Sequence, residues 1–459
     1  MSSLISLLFI SLGTLSPFKP ILLLCLFFTV PILSSLPLIP KESADLKIAQ
    51  FGSINFYAED YLILLLALTL LVHILVKFII PKRSLAPLVS SPISKAILIV
   101  LAWDIFIGFL SLTKGFELHN VFRKLSSEVI MLVVILIPLM NLREQTQKRL
   151  FAYSIILGLI LMCSGLIKYF FTGEIEYTSS GTVRTLLGNS VIVLMVPICY
   201  LLFYSDLWNR RLFLTTVMLA ALSLGISFAG HRSGYLVLLL ALMLRYLLTL
   251  RYRVQYLWVP AAALLFLGTI VFTPAFFRTL PSQGIFSDAV VRFNDTFNFE
   301  NKTTQERLTN WQFIFNMLET NPVLGMGRFP VYENLMDGST RSIRGSSELT
   351  GPAHNFVVDK FVHEGLLGLA VTLWFLSVLF RQGRFVMSVD RRFGQFFLVY
   401  LLSFIVFCLL NASYSSEERI FLFVIAGIVN MKVMHSVGNG RLKYASTVET
   451  PTARRAAAQ

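Results

Sequence analysis

The stretch KRLFAYSIILGLILMCSGLIKYFF, residues 148–171, decides the fold class. Leu150 to Phe171 is apolar over the length a helix needs to cross ~30 Å of hydrocarbon, and Lys148 and Arg149 stand at one end as cytoplasmic retention charges would. Similar runs of about 16 to 22 residues recur along the chain. They are Pro20–Leu38, Tyr61–Ile80, Ala96–Leu112, Leu125–Met140, Leu186–Tyr204, Leu212–Ala229, Tyr235–Leu250, Leu257–Val271, Leu366–Phe380 with a polar extension before it, Phe396–Leu410 and Ile420–Val433. Composition agrees, since 56% of the 459 residues are hydrophobic and 14% charged, where soluble domains carry roughly 25% charged residues. Mean hydropathy is +0.73. Barrel strands would alternate apolar and polar residues over ~10-residue stretches, and that pattern does not dominate. The expected fold is an all-α polytopic membrane protein of about twelve transmembrane helices, one domain over residues 1–459. Leu4–Leu15 is short for a span and lacks the basic start and small-residue cleavage site of a removed signal peptide, so it reads as interfacial, re-entrant or a further helix.

Orientation follows from the positive-inside rule. One alternating set of connections carries Lys82 and Arg83, Lys148 and Arg149, Arg210 and Arg211, Arg251 and Arg253, then Arg381, Arg384, Arg391 and Arg392; these are expected in the cytoplasm with both termini. The net charge of +14 is spread through such clusters rather than along one face, which speaks for topology and against nucleic acid. Cys25, Cys163, Cys199 and Cys408 lie far apart inside apolar runs, without the spacing of a disulfide scaffold or zinc site. Residues 440–459, ending in Ala-Arg-Arg-Ala-Ala-Ala-Gln, read as a disordered cytoplasmic tail.

The outer connections are short except for one between Arg278 and Ala353, taken with its flanks as residues 276–353. Within it Thr303 and Glu306 form a capping box. Leu308, Trp311, Phe315 and Leu318 then recur at helical spacing before Asn321-Pro322, which predicts an amphipathic helix on the membrane surface or closing the bundle.

Charge beside hydrocarbon is costly and marks sites of function. Arg184, in Thr-Val-Arg-Thr-Leu-Leu-Gly-Asn, and Arg232, in Gly-His-Arg-Ser-Gly-Tyr, both sit at the outer edge against the positive-inside trend. Their planar forks suit a phosphate, and the alternative is a structural ion pair or lipid headgroup contact. His354 stands where the long loop re-enters the membrane, in Gly-Pro-Ala-His-Asn-Phe; it is a candidate proton acceptor or else a helix-capping histidine. His363 and Glu364 lie deeper and read as packing braces. The sequence has no second histidine to complete a zincin motif, no paired-aspartate metal site and no phosphate loop, so neither metal nor nucleotide is expected. Ser233 lacks the Gly-x-Ser-x-Gly context of a hydrolase nucleophile.

Three groups of residues together resemble the O-antigen ligase and polymerase superfamily of bacterial envelope glycosyltransferases. They are Arg232-Ser233-Gly234; Glu306-Arg307-Leu308 with Trp311, Asn321-Pro322 and Leu324-Gly325-Met326-Gly327; and His354-Asn355 followed by Glu364-Gly365 and Gly368. The resemblance runs from roughly Arg184 to Gly368. It implies a multi-pass protein of the bacterial inner membrane whose periplasmic face transfers a glycan from an undecaprenyl-diphosphate carrier, without cofactor or metal. It assigns Arg184 and Arg232 to the diphosphate and His354 to the proton of the acceptor hydroxyl, with inversion at the anomeric carbon. Arg307 matches a position often basic in the family, and it either binds substrate or faces solvent. His231 departs from the motif; protonated it would add charge beside the diphosphate, neutral it could orient Arg232.

The acceptor separates two activities: lipid A core for a ligase, a second lipid-linked repeat unit for an O-antigen, capsule or exopolysaccharide polymerase. One dominant outer loop favours the ligase. A lipid or sugar transporter is the competing class. It predicts repeat symmetry and polar residues at mid-membrane, whereas the charges singled out here gather at the outer edge.

Overall fold

Hydrocarbon offers no partners to backbone amides and carbonyls, so an apolar run must satisfy them internally as a helix. The computed structural model describes residues 20–36, 47–51, 54–81, 89–114, 121, 125, 128–168, 176–177, 183–184, 186, 190–203, 212–229, 232–249, 321–325, 327, 333–334, 339–340, 355–410 and 416–438. Its helices are α1 Pro20–Ser35, α2 Ala58–Ile74 with a π-helical turn Leu75–Ile79, α3 Pro92–Thr113, α4 Val133–Met140, α5 Glu144–Ile167, α6 Ser190–Phe203, α7 Leu212–Ala229, α8 Arg232–Thr249, α9 Phe356–Val389, α10 Arg391–Leu410 and α11 Ser416–Gly438. Among the described residues six helices are long and apolar enough to cross a membrane: Asp60–Ile79, Pro92–Thr113, Glu144–Ile167, Phe356–Val389, Arg391–Leu410 and Arg419–Ser436. Ile21–Val30, Val129–Met140, Ser190–Phe203, Leu214–Ile226 and Ser233–Leu248 are shorter apolar helices. This is the profile of a multi-pass membrane protein. The runs Leu4–Leu15 and Leu257–Val271, the helix expected after Thr303 and the tail 440–459 lie outside the described residues.

Three features differ from the sequence reading. Three antiparallel ribbons join the helices: β1 Lys47–Phe51 with β2 Ile54–Tyr57, β3 Glu176–Tyr177 with β4 Val183–Arg184, and β5 Glu333–Asn334 with β6 Ser339–Thr340. The run Leu125–Met140 is not one helix, because a 3-10 turn Val129–Leu132 leads into α4, which stops at Asn141 in the left-handed conformation that asparagine tolerates. The polar extension before Leu366 belongs to α9, whose 34 residues are interrupted at Gly365.

Packed pairs fix which helix ends lie together. Gly158 of α5 faces Leu222 of α7 and Gly225 faces Met162, so α5 and α7 run in the same direction. Leu186 packs on Gly165 near the end of α5, while Val191 of α6 and Ile226 of α7 both meet Gly234 of α8. The ends of α5 and α7 and the starts of α6 and α8 therefore share one end of the bundle, which we call the head. At the opposite end Phe151 stacks on Tyr200 at 4.8 Å and meets Phe396 edge-on at 5.1 Å, bringing the start of α5, the end of α6 and the start of α10 together. Gly383 against Phe397 and Leu398 makes α9 and α10 an antiparallel hairpin, so α9 also starts at the head. From Leu366 to Val389 its second part is ~36 Å long, enough to traverse the hydrocarbon. Arg143, Lys148, Arg149, Arg384, Arg391 and Arg392 are exposed at the end opposite the head.

Between membrane helices no hydrophobic difference from lipid drives association, so close contact and polar links matter more. Buried Asn430 accepts from Ser91 and donates to Ser94 Oγ at 3.0 Å and to the Val134 carbonyl at 3.1 Å, joining α11, α3 and α4. Arg419 and Glu128 form an ion pair with only 2% of either side chain exposed, tying the start of α11 to the 3-10 turn.

Candidate functional site

Of the residues singled out in the sequence, Arg232 is the first of α8 and Arg184 lies in β4, its backbone paired with Glu176. Helix α7 abuts β4 and leads to α8, so both backbones sit at the head. A helix start leaves amides without intrahelical partners and carries the positive end of the macrodipole, which favours an anion there. Ser233 is buried beside Arg232, and Gly234 leaves room for Ile226 and Val191. His231, Arg307 and His354 lie outside the described residues, as do Trp311 and the capping box at Thr303. His354 immediately precedes Asn355, whose carboxamide oxygen accepts from the amides of Val357 at 2.9 Å and Val358 at 3.3 Å and so caps α9.

At the head, residues 321–325 and Gly327 meet the break in α9. Asn321 to Gly325 form a turn closed by the Gly325 amide on the Asn321 carbonyl at 2.9 Å. At Gly365 the backbone takes φ 66° and ψ −167°, outside the helical region and in territory almost reserved for glycine. That excursion divides α9 into a stub, Phe356–Glu364, and the long part from Leu366. The long part then needs partners for its first amides: Leu366 donates to the Pro322 carbonyl at 2.9 Å and Leu367 to Val323 at 3.2 Å. The turn thus serves as the cap of a helix more than thirty residues later in sequence.

The approach is backbone to backbone. A Cβ on Gly325, which has φ 69°, would fall 2.5 Å from the Gly365 nitrogen and 2.6 Å from the Val362 oxygen, and a Cβ on Gly365 would strike the Val323 carbonyl. Gly327 donates its amide to the His363 carbonyl at 3.0 Å, and its own carbonyl lies 2.9 Å from His363 Nδ1. A carbonyl can only accept, so Nδ1 carries the proton in that contact. His363 is thereby committed to bracing the turn, as its depth in the sequence suggested.

Helix α3 holds both pieces. Lys114 Nζ donates to the Gly325 carbonyl at 2.9 Å, and desolvation lowers the pKa of this ammonium from its ordinary value. Glu364 has 3% of its side chain exposed; Oε1 accepts from Lys360 at 2.6 Å and Oε2 from Trp103 Nε1 at 3.2 Å. Lys114 was not singled out in the sequence, although the rule that picked Arg184 and Arg232 applies to it equally. Trp103 gave no signal, because its partner is 261 residues away.

No curated protein matches the chain. The family model described as O-antigen ligase matches residues 217–373, which begin within α7, include the start of α8 and the 321–327 turn, and end within α9 beyond the Gly365 break. Over those residues, about a third of the chain, the sequence is similar to the O-antigen ligase family.

Proposed function

We propose that the protein is an O-antigen ligase-type glycosyltransferase of the bacterial inner membrane, working at the periplasmic face. The observation that carries this reading is the O-antigen ligase match over residues 217–373, which contains Arg232, Arg307 and His354. The basic residues exposed opposite the head support a cytoplasmic location for that end under the positive-inside rule, and in this reading the head faces the periplasm. The full architecture would have about twelve spans, with residues 276–353 as the periplasmic loop.

In this mechanism an undecaprenyl-diphosphate-linked glycan lies at the head with its lipid in the bilayer. The hydroxyl of lipid A core attacks the anomeric carbon from the face opposite the diphosphate. As the new glycosidic C–O bond forms, the C–O bond to the diphosphate breaks and its electron pair leaves on phosphate, which inverts the anomeric centre. His354 takes the hydroxyl proton. Negative charge grows on the departing diphosphate, where Arg232 and Arg184 would each donate two parallel hydrogen bonds, with His231 and Arg307 as further contacts. Guanidinium groups fixed before the reaction do there what a divalent cation would otherwise do, so the chemistry is independent of added metal.

The test is turnover by purified protein given an undecaprenyl-diphosphate glycan and lipid A core in the presence of a chelator. Release of undecaprenyl diphosphate that depends on lipid A core supports the ligase. Release that needs only more of the lipid-linked repeat unit would make it a polymerase, and movement of donor across a vesicle without bond cleavage would make it a transporter.

A further inference from the structure

We propose that Glu364 is a positioning residue that orients the stub Phe356–Glu364, and with it the end of α9 at Asn355, through its bond to the Trp103 indole. The inference rests on the glycosyltransferase reading for its consequence in turnover, not for its geometry.

A helix normally fixes its first turn through the turns that follow, because amides and carbonyls continue along one axis. Gly365 removes that continuity, since its φ of 66° breaks the axis between the stub and the long part. What aims the stub must therefore come from outside it. The turn contributes through Gly327, paired with the carbonyl and ring of His363. A charged side-chain link joins the stub to α3 where Glu364 accepts from Trp103 at 3.2 Å. Lys360, one helical turn earlier, donates to the other oxygen at 2.6 Å and makes the carboxylate a junction between stub and α3. Gly368 leaves the space for this junction. A Cβ there would collide with Glu364 Cβ and lie 2.8 Å from Oε2 and 2.9 Å from Trp103 Nε1.

The chain enters the stub through Asn355, the residue after His354. A stub released from α3 would keep its cap and its helix yet lose a fixed direction. Displacements of about 1 Å at a reacting group can lower turnover by about 100-fold without weakening binding, because ground-state contacts with the substrate lie elsewhere. A residue that merely stabilised the bundle would act on all of it.

Hydrogen–deuterium exchange on the purified full chain separates these roles, using Trp103→Phe, Glu364→Gln and Gly368→Ala. Glu364→Gln keeps the size of the side chain, Trp103→Phe keeps an aromatic ring while removing the indole donor, and Gly368→Ala adds one methyl. Amides of Val357 to Val362 should exchange about tenfold faster in all three, the equivalent of one hydrogen bond to a charged group, while Thr372 to Val386 of the same helix keep their protection. Unchanged exchange in the stub, or an increase spread evenly over α9 and α3, overturns the proposal. In transfer assays with undecaprenyl-diphosphate glycan, kcat should fall about 10- to 100-fold with the donor KM within about twofold, and Trp103→Phe combined with Glu364→Gln should lose no more than the worse single variant. A raised donor KM with intact kcat also overturns it. If the wild-type protein transfers no glycan, the functional reading fails, and the exchange measurement still decides whether Glu364 orients the stub.

Discussion

Gly365→Ala puts the break in α9 to a direct test. At φ 66° and ψ −167° a residue with a Cβ pays about 1–3 kcal/mol in backbone strain. The new methyl would also strike the Val323 carbonyl, so the turn must retreat. Retreat stretches the bonds from the Leu366 and Leu367 amides to the Pro322 and Val323 carbonyls, each worth about 0.5–1.5 kcal/mol. The sum, about 2–6 kcal/mol, is a large part of the 5–15 kcal/mol that typically separates folded from unfolded protein. The assay is the fraction of purified protein that stays monodisperse in detergent after heating, with Leu366→Ala as comparator because Leu366 is 59% exposed. Gly365→Ala should lower the midpoint by several degrees and Leu366→Ala should leave it near wild type. Equal midpoints for Gly365→Ala and wild type, or an equal fall in Leu366→Ala, would refute the argument that the turn and the break are locked together.

Further outcomes follow from other contacts. Arg419→Met or Glu128→Gln alone should destabilise by about 3–5 kcal/mol, because each strands a charged or polar partner in a dry site, whereas Arg419→Met with Glu128→Leu should recover most of the loss; heat-challenge midpoints of the three variants check this. Lys114 has a folded pKa depressed below 10.5 by desolvation, so between the two values the unfolded chain binds more protons and stability rises with pH. Below that window the penalty is fully present; Lys114→Met should flatten the rise in midpoint on approaching pH 10.5, and an unchanged profile would show that Lys114 does not carry it. Arg232→Ala should weaken binding of the diphosphate donor, slow transfer, or both, and Arg232→Lys should restore only part of the loss, since a point charge cannot reproduce the fork. Full recovery by lysine in donor titrations would argue against a bidentate contact.

Much of the fold is legible in the sequence because its signal is local. An apolar run such as Leu150–Phe171 carries its own instruction to form a helix in hydrocarbon, and α5 occupies Glu144–Ile167. Boundaries are less legible. The polar stretch before Leu366 reads as an extension, yet it is helical because Asn355 caps it and Glu364 is neutralised by Lys360. The interruption at Gly365 is harder still, since a glycine in a membrane helix is commonplace and only the distant Pro322–Val323 carbonyls make this one a break. The motif Leu324-Gly325-Met326-Gly327 did stand out, and its glycines have a physical reason in the backbone contact with α9. Trp103 and Glu128 show the remaining gap: each is defined by a partner on a remote helix, a relation that residue type alone does not encode.

The most direct measurement of the central claim is mass spectrometry of the product when lipid A core and lipid-linked repeat units compete for one undecaprenyl-diphosphate donor, run with wild type and His354→Ala. The account predicts glycan on lipid A core with the anomeric configuration inverted, and no product from His354→Ala despite retained donor binding. A retained configuration, or full product from His354→Ala, would contradict it.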